Sequence, residues 1–150
     1  MKTALITGGS RGIGSAIALK LGKNFHVVVG YANSEDKAND VVKEIVAAGG
    51  SASKVQIDIS NAESVDTAFS TVEKEYNFVD VLINNAGITQ DNILPRMKEA
   101  EWLKVIQTNL TGSFYTSQRA IKLMMKSKWG RIVFISSVAV SYTHLRAHET

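Results

Sequence analysis

Short runs of β-branched and apolar residues alternate with longer amphipathic stretches along this chain, and no other feature limits its possible folds as much. TALIT (3–7), HVVVG (26–30), VDVLIN (79–84) and RIVFIS (131–136) are apolar at nearly every position, as central parallel strands covered on both faces are. In SKVQIDI (53–59), Val55, Ile57 and Ile59 alternate with Lys54, Gln56 and Asp58, which leaves one face wet and suits an edge strand. Between these runs the apolar spacing is helical. Ala38, Val41, Val42, Ile45 and Val46 share one face before Gly49 and Gly50. Ser60 and Glu63 form a candidate capping box ahead of Val65, Ala68, Phe69 and Val72. The longest helical pattern runs over 99–126, with Trp102, Val105, Ile106, Leu110, Phe114, Ile121 and Met124 along its stripe. Strands alternating with helical crossovers predict a doubly wound α/β fold, a Rossmann-like parallel sheet, and right-handed connections leave few topologies. With the third strand at an edge, the order is 3-2-1-4-5, and ligand is expected where the winding reverses, at the carboxyl ends of strands 1 and 4.

Composition narrows the setting. The 150 residues, 45% hydrophobic and 21% charged, fit one globular domain. Without cysteine there is no disulfide, thiolate metal site or thiol nucleophile, and a reducing cytoplasm is the expected location. The apolar start breaks at Thr7 and Gly8, too early for a signal or membrane segment. A net charge of +3 spread along the chain gives no argument for nucleic acid, which is not expected as a partner, and suits an anionic small molecule.

Several candidate site residues fall at strand ends. TGGSRGIG (7–14) follows strand 1, and glycines at 8, 12 and 14 allow a tight turn, close approach of backbone to a phosphate, and close packing of the next helix. Such turns also arise without ligands. Asp58 ends strand 3, while Asn84, Asn85, Ala86 and Gly87 end strand 4. Each suits a turn by itself, but all meet on one rim. Asn109 lies in the long helix's apolar stripe, so its amide must bond neighbouring backbone or order water beside a ligand. Ser136 and Ser137 end strand 5 on the same rim.

TGGSRGIG, the NNAG run at 84–87, Asn109 in QTNL and Ser137 in GRIVFISS together resemble the short-chain dehydrogenase/reductase family, in order and spacing from about residue 3 to 139. NNAGITQDNILPRM and MMKSKWGRIVFISSV are most similar to the family's reductases of 3-oxoacyl groups carried on acyl-carrier protein. The resemblance implies an NADPH-dependent oxidoreductase of fatty-acid synthesis acting on a 3-oxoacyl thioester, homo-oligomeric and tetrameric in its intact form. Gly8, Ser10, Arg11, Gly12, Ile13 and Gly14 would wrap the cofactor phosphates. Asp58 and Ile59 would flank the adenine, and Asn85, Ala86 and Gly87 would line the adenosine ribose and adjoining wall. Ser137 would bond the substrate carbonyl, and Asn109 would anchor the water of a proton relay. NADP is favoured over NAD because strand 2 ends at Gly30 and Tyr31 without an acid, while Arg11 stands in the loop. Glu35 and Asp36 read as first-turn carboxylates facing a helix dipole. The basic group Lys122, Lys126, Lys128 and Arg131 either meets an acidic carrier protein or suits a helix C-terminus and solvent. An acetoacetyl-CoA or other carbonyl reductase would share these motifs, and a non-catalytic dinucleotide-binding protein would share all but the catalytic pair.

SYTHLRAHET (141–150) departs from this pattern. The family places its catalytic Tyr about a dozen residues after the Ser, with Lys four further on. Here Tyr142 follows Ser137 by five residues and Arg146 stands where Lys would be; Arg does not replace Lys without cost. His144 and His148 lack the pattern and third ligand of a metal site. Residues 1–139 therefore read as the amino-terminal part of a reductase domain, its sheet incomplete on the carboxyl-terminal side. Residues 140–150 read as a non-family tail, similar to translated adapter sequence. The 150-residue fragment is expected to be inactive and to expose apolar surface at strand 5.

Overall fold

A computed structural model describes residues 1–137. Strands β1 (Thr3–Ile6), β2 (His26–Tyr31), β3 (Ser51–Gln56), β4 (Val81–Asn84) and β5 (Arg131–Phe134) form one parallel sheet in the order β3-β2-β1-β4-β5. Helices α1 (Gly12–Leu21), α2 (Glu35–Ala47), α3 (Ala62–Tyr76), α4 (Glu99–Val105) and α5 (Gly112–Ser127) connect them. The doubly wound α/β architecture and the strand order are those the alternation predicts.

Side chains on β1 explain why both faces must be covered. Leu5 points into one apolar layer with Val28, Leu82, Phe69, Val72 and Leu123, whereas Ala4 and Ile6 point into the other with Val27, Val29, Ala18 and Ile45. Period two on a strand sends neighbours to opposite faces, so an apolar residue at every position needs helices on both sides. β3 alternates as expected, with Val55, Ile57 and Ile59 buried and Gln56 and Asp58 exposed. Its ladder runs earlier than 53–59, because Ser51, Ala52 and Ser53 pair with His26, Val27 and Val28. Beyond Gln56 only the Ile57 amide still bonds across, to the Tyr31 carbonyl at 2.7 Å.

Three expectations need correction. Asn61, not Ser60, caps α3, its Oδ1 accepting from the Ser64 amide at 3.1 Å. Ser60 turns back on Asp58 instead, which removes the capping box. On α2, Val46 is exposed while Ala38, Val41 and Ile45 carry the burial. The long helix is α4 and α5 joined by a π-helical segment, Ile106–Thr111. This shifts the phase, so the buried line on α5 is Gly112, Thr116, Ala120, Leu123 and Met124, while Trp102, Leu110, Phe114 and Ile121 are exposed. β5 forms the sheet's edge among the described residues, and its exposed Val133 and Phe134, with Ile135, are the apolar surface expected at strand 5.

At the amino-terminal rim, His26 links β2 to β3. Its ring nitrogens lie 2.7 Å from Ser51 Oγ and 3.0 Å from Ser53 Oγ, and its ring stacks on Tyr76 at 4.2 Å. Burial pushes its pKa down, against the opposing pull of Glu75. The unfolded chain therefore binds this proton more readily than the folded one. Stability is full above the unfolded value of about 6.5 and is lost as pH falls through the lower folded value. Urea midpoints at pH 8 and pH 5 should show that drop, and it should shrink in His26→Gln; an undiminished drop would assign it to other groups.

Candidate functional site: the carboxyl rim of the sheet

The buried hydroxyl of Thr7 joins the two loops that the strand order brings together. Leaving β1, Thr7 donates from its amide to the Ile83 carbonyl at 3.0 Å and from its hydroxyl to the same carbonyl at 3.3 Å. The hydroxyl also accepts from the Asn85 and Ala86 amides, both at 3.0 Å. Asn85 Nδ2 then reaches the Thr7 and Gly8 carbonyls at 3.1 and 3.0 Å. From the other side, the Gly9 amide bonds the Gly30 carbonyl of β2 at 2.8 Å. The glycine loop is thus fastened to strands 2 and 4, the neighbours of β1.

Two glycines in this loop admit no side chain. Gly8 has φ +61°, and a Cβ there would lie 2.9 Å from Ala86 Cα. A Cβ on Gly14 would overlap the Gly8 carbonyl oxygen and lie 2.5 Å from Asn85 Nδ2. The loop therefore packs directly on the NNAG turn and α1. At the start of α1, Arg11 supplies no capping hydrogen bond and the first turn carries no acid. An uncapped helix N-terminus presents amide donors and partial positive charge to an anion. Arg11 and Ile13 project outward, Ile13 being 63% exposed, and the Arg11 guanidinium has no ion-pair or hydrogen-bond partner among the described residues.

The remaining candidates share this rim but play unequal parts. Asp58 shapes the β3–α3 turn, accepting from the Ser60 amide at 3.0 Å and its hydroxyl at 2.6 Å, while its own amide donates to Ser64 Oγ at 2.9 Å. Ile59 is 4% exposed, with its side chain in the core, so its backbone is what a ligand at this turn would meet. Asn84, also buried, accepts from Thr116 Oγ1 at 2.6 Å and donates to Ser117 Oγ at 3.2 Å, tying β4 to α5. Ser137 follows β5, which the bond from the Ile135 amide to the Asn84 carbonyl, 2.9 Å, extends along β4.

Asn109 is exposed rather than sheltered in an apolar stripe. Its Oδ1 accepts from the Ile88 amide and its Nδ2 donates to the Ile88 carbonyl, both at 2.8 Å. Of the two roles open to the amide, the structure shows backbone bonding; a Cβ on Gly87 would lie 3.2 Å from Asn109 Oδ1. The basic group lies away from this rim, at the end of α5 and the start of β5. Lys126 pairs with Glu73 at 2.8 Å, and Arg131 sits over the Trp129 ring. Tyr142, His144, Arg146 and His148 lie outside the described residues.

Sequence reasoning missed Thr7, Thr116 and the pairing of Glu35 with Lys54 at 2.9 Å. Thr7 gave one faint signal, a polar residue at the end of an otherwise apolar strand. An open cleft of about 600 Å³ between β3 and α3, lined by Lys54, Gln56, Asn61 and Thr67 among others, lies outside the sheet edge. It lacks the converging loops of the rim.

Residues 2–147 match the family model for short chain dehydrogenase. The chain belongs to that family. It is 50% identical over 139 residues to a 3-oxoacyl-[acyl-carrier-protein] reductase of Synechocystis sp., covering 92% of this chain and 56% of the relative. Against the 3-oxoacyl-[acyl-carrier-protein] reductase FabG of Staphylococcus aureus, identity is 46% over 138 residues, or 91% of this chain and 56% of the relative. The chain thus spans little more than half the length of these curated relatives. Among solved structures, a metagenomic short-chain oxidoreductase in complex with NADP superposes with a TM-score of 0.87 at 38% identity, covering 92% of this chain and 63% of that one. The gox2181 structure gives 0.87 at 32% identity, covering 91% and 54%.

The clamp itself is open to test. Thr7→Val keeps the shape but leaves the Asn85 and Ala86 amides without their acceptor, which should cost about 1–3 kcal/mol. Thr7→Ser should restore most of it, and a valine variant as stable as the parent in urea would show that the clamp does not hold the loops.

Proposed function

We propose that this chain is the amino-terminal part of a short-chain dehydrogenase that reduces a 3-oxoacyl thioester, with NADPH as hydride donor, to the 3-hydroxyacyl form. The observation that carries this reading is the uncapped glycine loop held by Thr7 against Asn85 and Ala86. It offers amide donors without a competing side-chain cap or first-turn carboxylate, and its close-packed glycines leave backbone as the contact surface, which is the fit a dinucleotide phosphate requires. Gly8, Ser10, Arg11, Gly12, Ile13 and Gly14 wrap the phosphates. Asp58 and the Ile59 backbone flank the adenine. Asn85, Ala86 and Gly87 line the ribose and the neighbouring wall.

NADP is favoured over NAD because β2 ends at Tyr31 with no acid and Arg11 stands open beside the loop; the solved neighbour bound to NADP supports the same choice. Bound NADPH supplies hydride to the ketone carbon. The chain's own contributions are binding and orientation: Ser137 donates to the substrate carbonyl oxygen, and Asn109, whose amide is also braced on the Ile88 backbone, holds the water that feeds the proton relay. The carrier-protein substrate is supported by the names of the 45–50% identical relatives, not by Lys126 and Arg131, whose local contacts fit the solvent and dipole reading. Homo-oligomerisation of the intact protein is supported by exposed apolar residues along α4, α5 and the π-helical segment between them, among them Leu103, Leu110, Phe114, Ile121 and Met125. Tyr142 does not fill the proton donor's place at its spacing from Ser137, so the 150-residue chain is proposed to bind cofactor but to turn over little.

Fluorescence titration of the chain with NADPH and NADH should give tighter binding of NADPH, and tighter NADH binding would overturn the cofactor reading. Sequencing the gene past codon 138 should show a glycine-containing loop followed by Tyr-x-x-x-Lys. An authentic stop after Thr150 would contradict the enzymatic reading and favour a dinucleotide-binding protein without catalysis.

A further inference from the structure

Glu35 is the first residue of α2 and the first carboxylate after the end of β2. In a doubly wound fold an acid in this region is a threat to any 2′-phosphate on adenosine, since it bonds the free ribose hydroxyl and repels the phosphate. The sequence gives Glu35 a simpler task, facing the dipole of its own helix. The structure shows a partner that the sequence does not reveal. Lys54 of β3 donates from Nζ to Glu35 Oε1 at 2.9 Å. Lys54 pairs in register with Val29, two residues before Tyr31. Gln56, the last residue of β3, donates to the Ala32 carbonyl at 3.1 Å, fastening the β2–α2 connection to the same edge strand.

The pair is too exposed to be explained by stability. The Glu35 side chain is 60% exposed and that of Lys54 29%, and ion pairs of this kind contribute little to folding. What the pair fixes is the position and charge of one carboxylate. The Lys54 hydrogen bond holds the Glu35 pKa below the usual carboxylate range, with the lysine's charge and a hydrogen bond from Tyr31 acting the same way. Glu35 therefore stays ionised and tethered. Asp36 also lies within the field of Lys54. Arg11, at the start of α1, is exposed and its guanidinium is unengaged among the described residues.

We propose that Lys54 is a specificity-determining residue acting through Glu35: it holds and neutralises that carboxylate against β3, leaving Arg11 to set a preference for adenosine nucleotides bearing a 2′-phosphate. This rests on the dinucleotide reading of the glycine loop. Lys54 is a positioning residue here and need not touch the ligand. Releasing Glu35 leaves an uncompensated negative charge beside the 2′ position, which weakens binding of a 2′-phosphate without affecting a nucleotide that lacks one.

Calorimetric titration of the 150-residue chain with 2′,5′-ADP and with 5′-AMP separates the two effects. Lys54→Met should weaken 2′,5′-ADP by about threefold to tenfold relative to 5′-AMP at low salt, an effect that shrinks at 1 M salt. Adding Glu35→Gln to Lys54→Met should return the ratio of the two affinities to within about twofold of the parent, since the repelling charge is gone. Circular dichroism confirms that each variant is folded, and Glu35→Gln alone, at an exposed position, provides a second route should Lys54→Met unfold: it should not weaken 2′,5′-ADP. An equal loss for both nucleotides would make the pair merely structural and overturn the proposal. So would a loss that persists in the double variant, because Lys54 would then act on the phosphate directly. Failure of the unmodified chain to bind either nucleotide would instead refute the dinucleotide reading and the proposal with it.

Discussion

A single buried hydroxyl, that of Thr7, decides whether the glycine loop and the NNAG turn form one surface or two. It donates once and accepts twice, so all of its hydrogen-bonding capacity is used between β1 and β4. The loops on either side have no comparable freedom. Gly8 is fixed against Ala86, Gly9 is bonded to Gly30, and α1 begins where Gly14 meets Asn85. The helix start that would face an anion is therefore placed by hydrogen bonds between neighbouring strands rather than by the loop's own preferences. Preorganised amides of this sort need not be ordered when the ligand arrives.

The fold's large features were legible because they follow from burial. Residues at consecutive positions of β1 enter opposite apolar layers, so an uninterrupted apolar strand already implies helices on both faces. The edge position of β3 was legible from its alternation for the same reason. What the sequence concealed depends on phase and pairing. The π-helical segment at Ile106–Thr111 rotates α5 relative to α4, and a periodicity fitted across both selected Leu110 and Phe114 instead of Thr116 and Ala120. Asn61 took the cap expected of Ser60 because Asp58 had already engaged the serine. Such choices between adjacent polar residues differ by too little for spacing alone to decide.

The candidate site divides along the same line. Its glycines and the Asn85–Gly87 run could be read because close backbone packing excludes side chains, and that leaves a trace in residue type. Asn109 was legible as an amide with a task, although it serves the Ile88 backbone in an exposed position rather than a buried one. Thr7 was not legible, since a threonine at the end of a strand has many local uses. Nor was the Glu35–Lys54 pair, whose partners lie 19 positions apart and are brought together only by the β2–β3 register. Charge beyond the end of β2 is thus a property of tertiary pairing, whereas the close packing of the glycine loop is written in residue type.

The rim fastened by Thr7 is proposed as the place where a dinucleotide binds. Backbone amide shifts followed by nuclear magnetic resonance while the 150-residue chain is titrated with NADPH locate the ligand residue by residue. The largest changes should fall on Gly12, Ile13 and Gly14, with further changes at Asp58, Ala86 and Gly87. Changes confined to the β3–α3 cleft around Asn61 and Thr67, with the glycine loop unmoved, would contradict it.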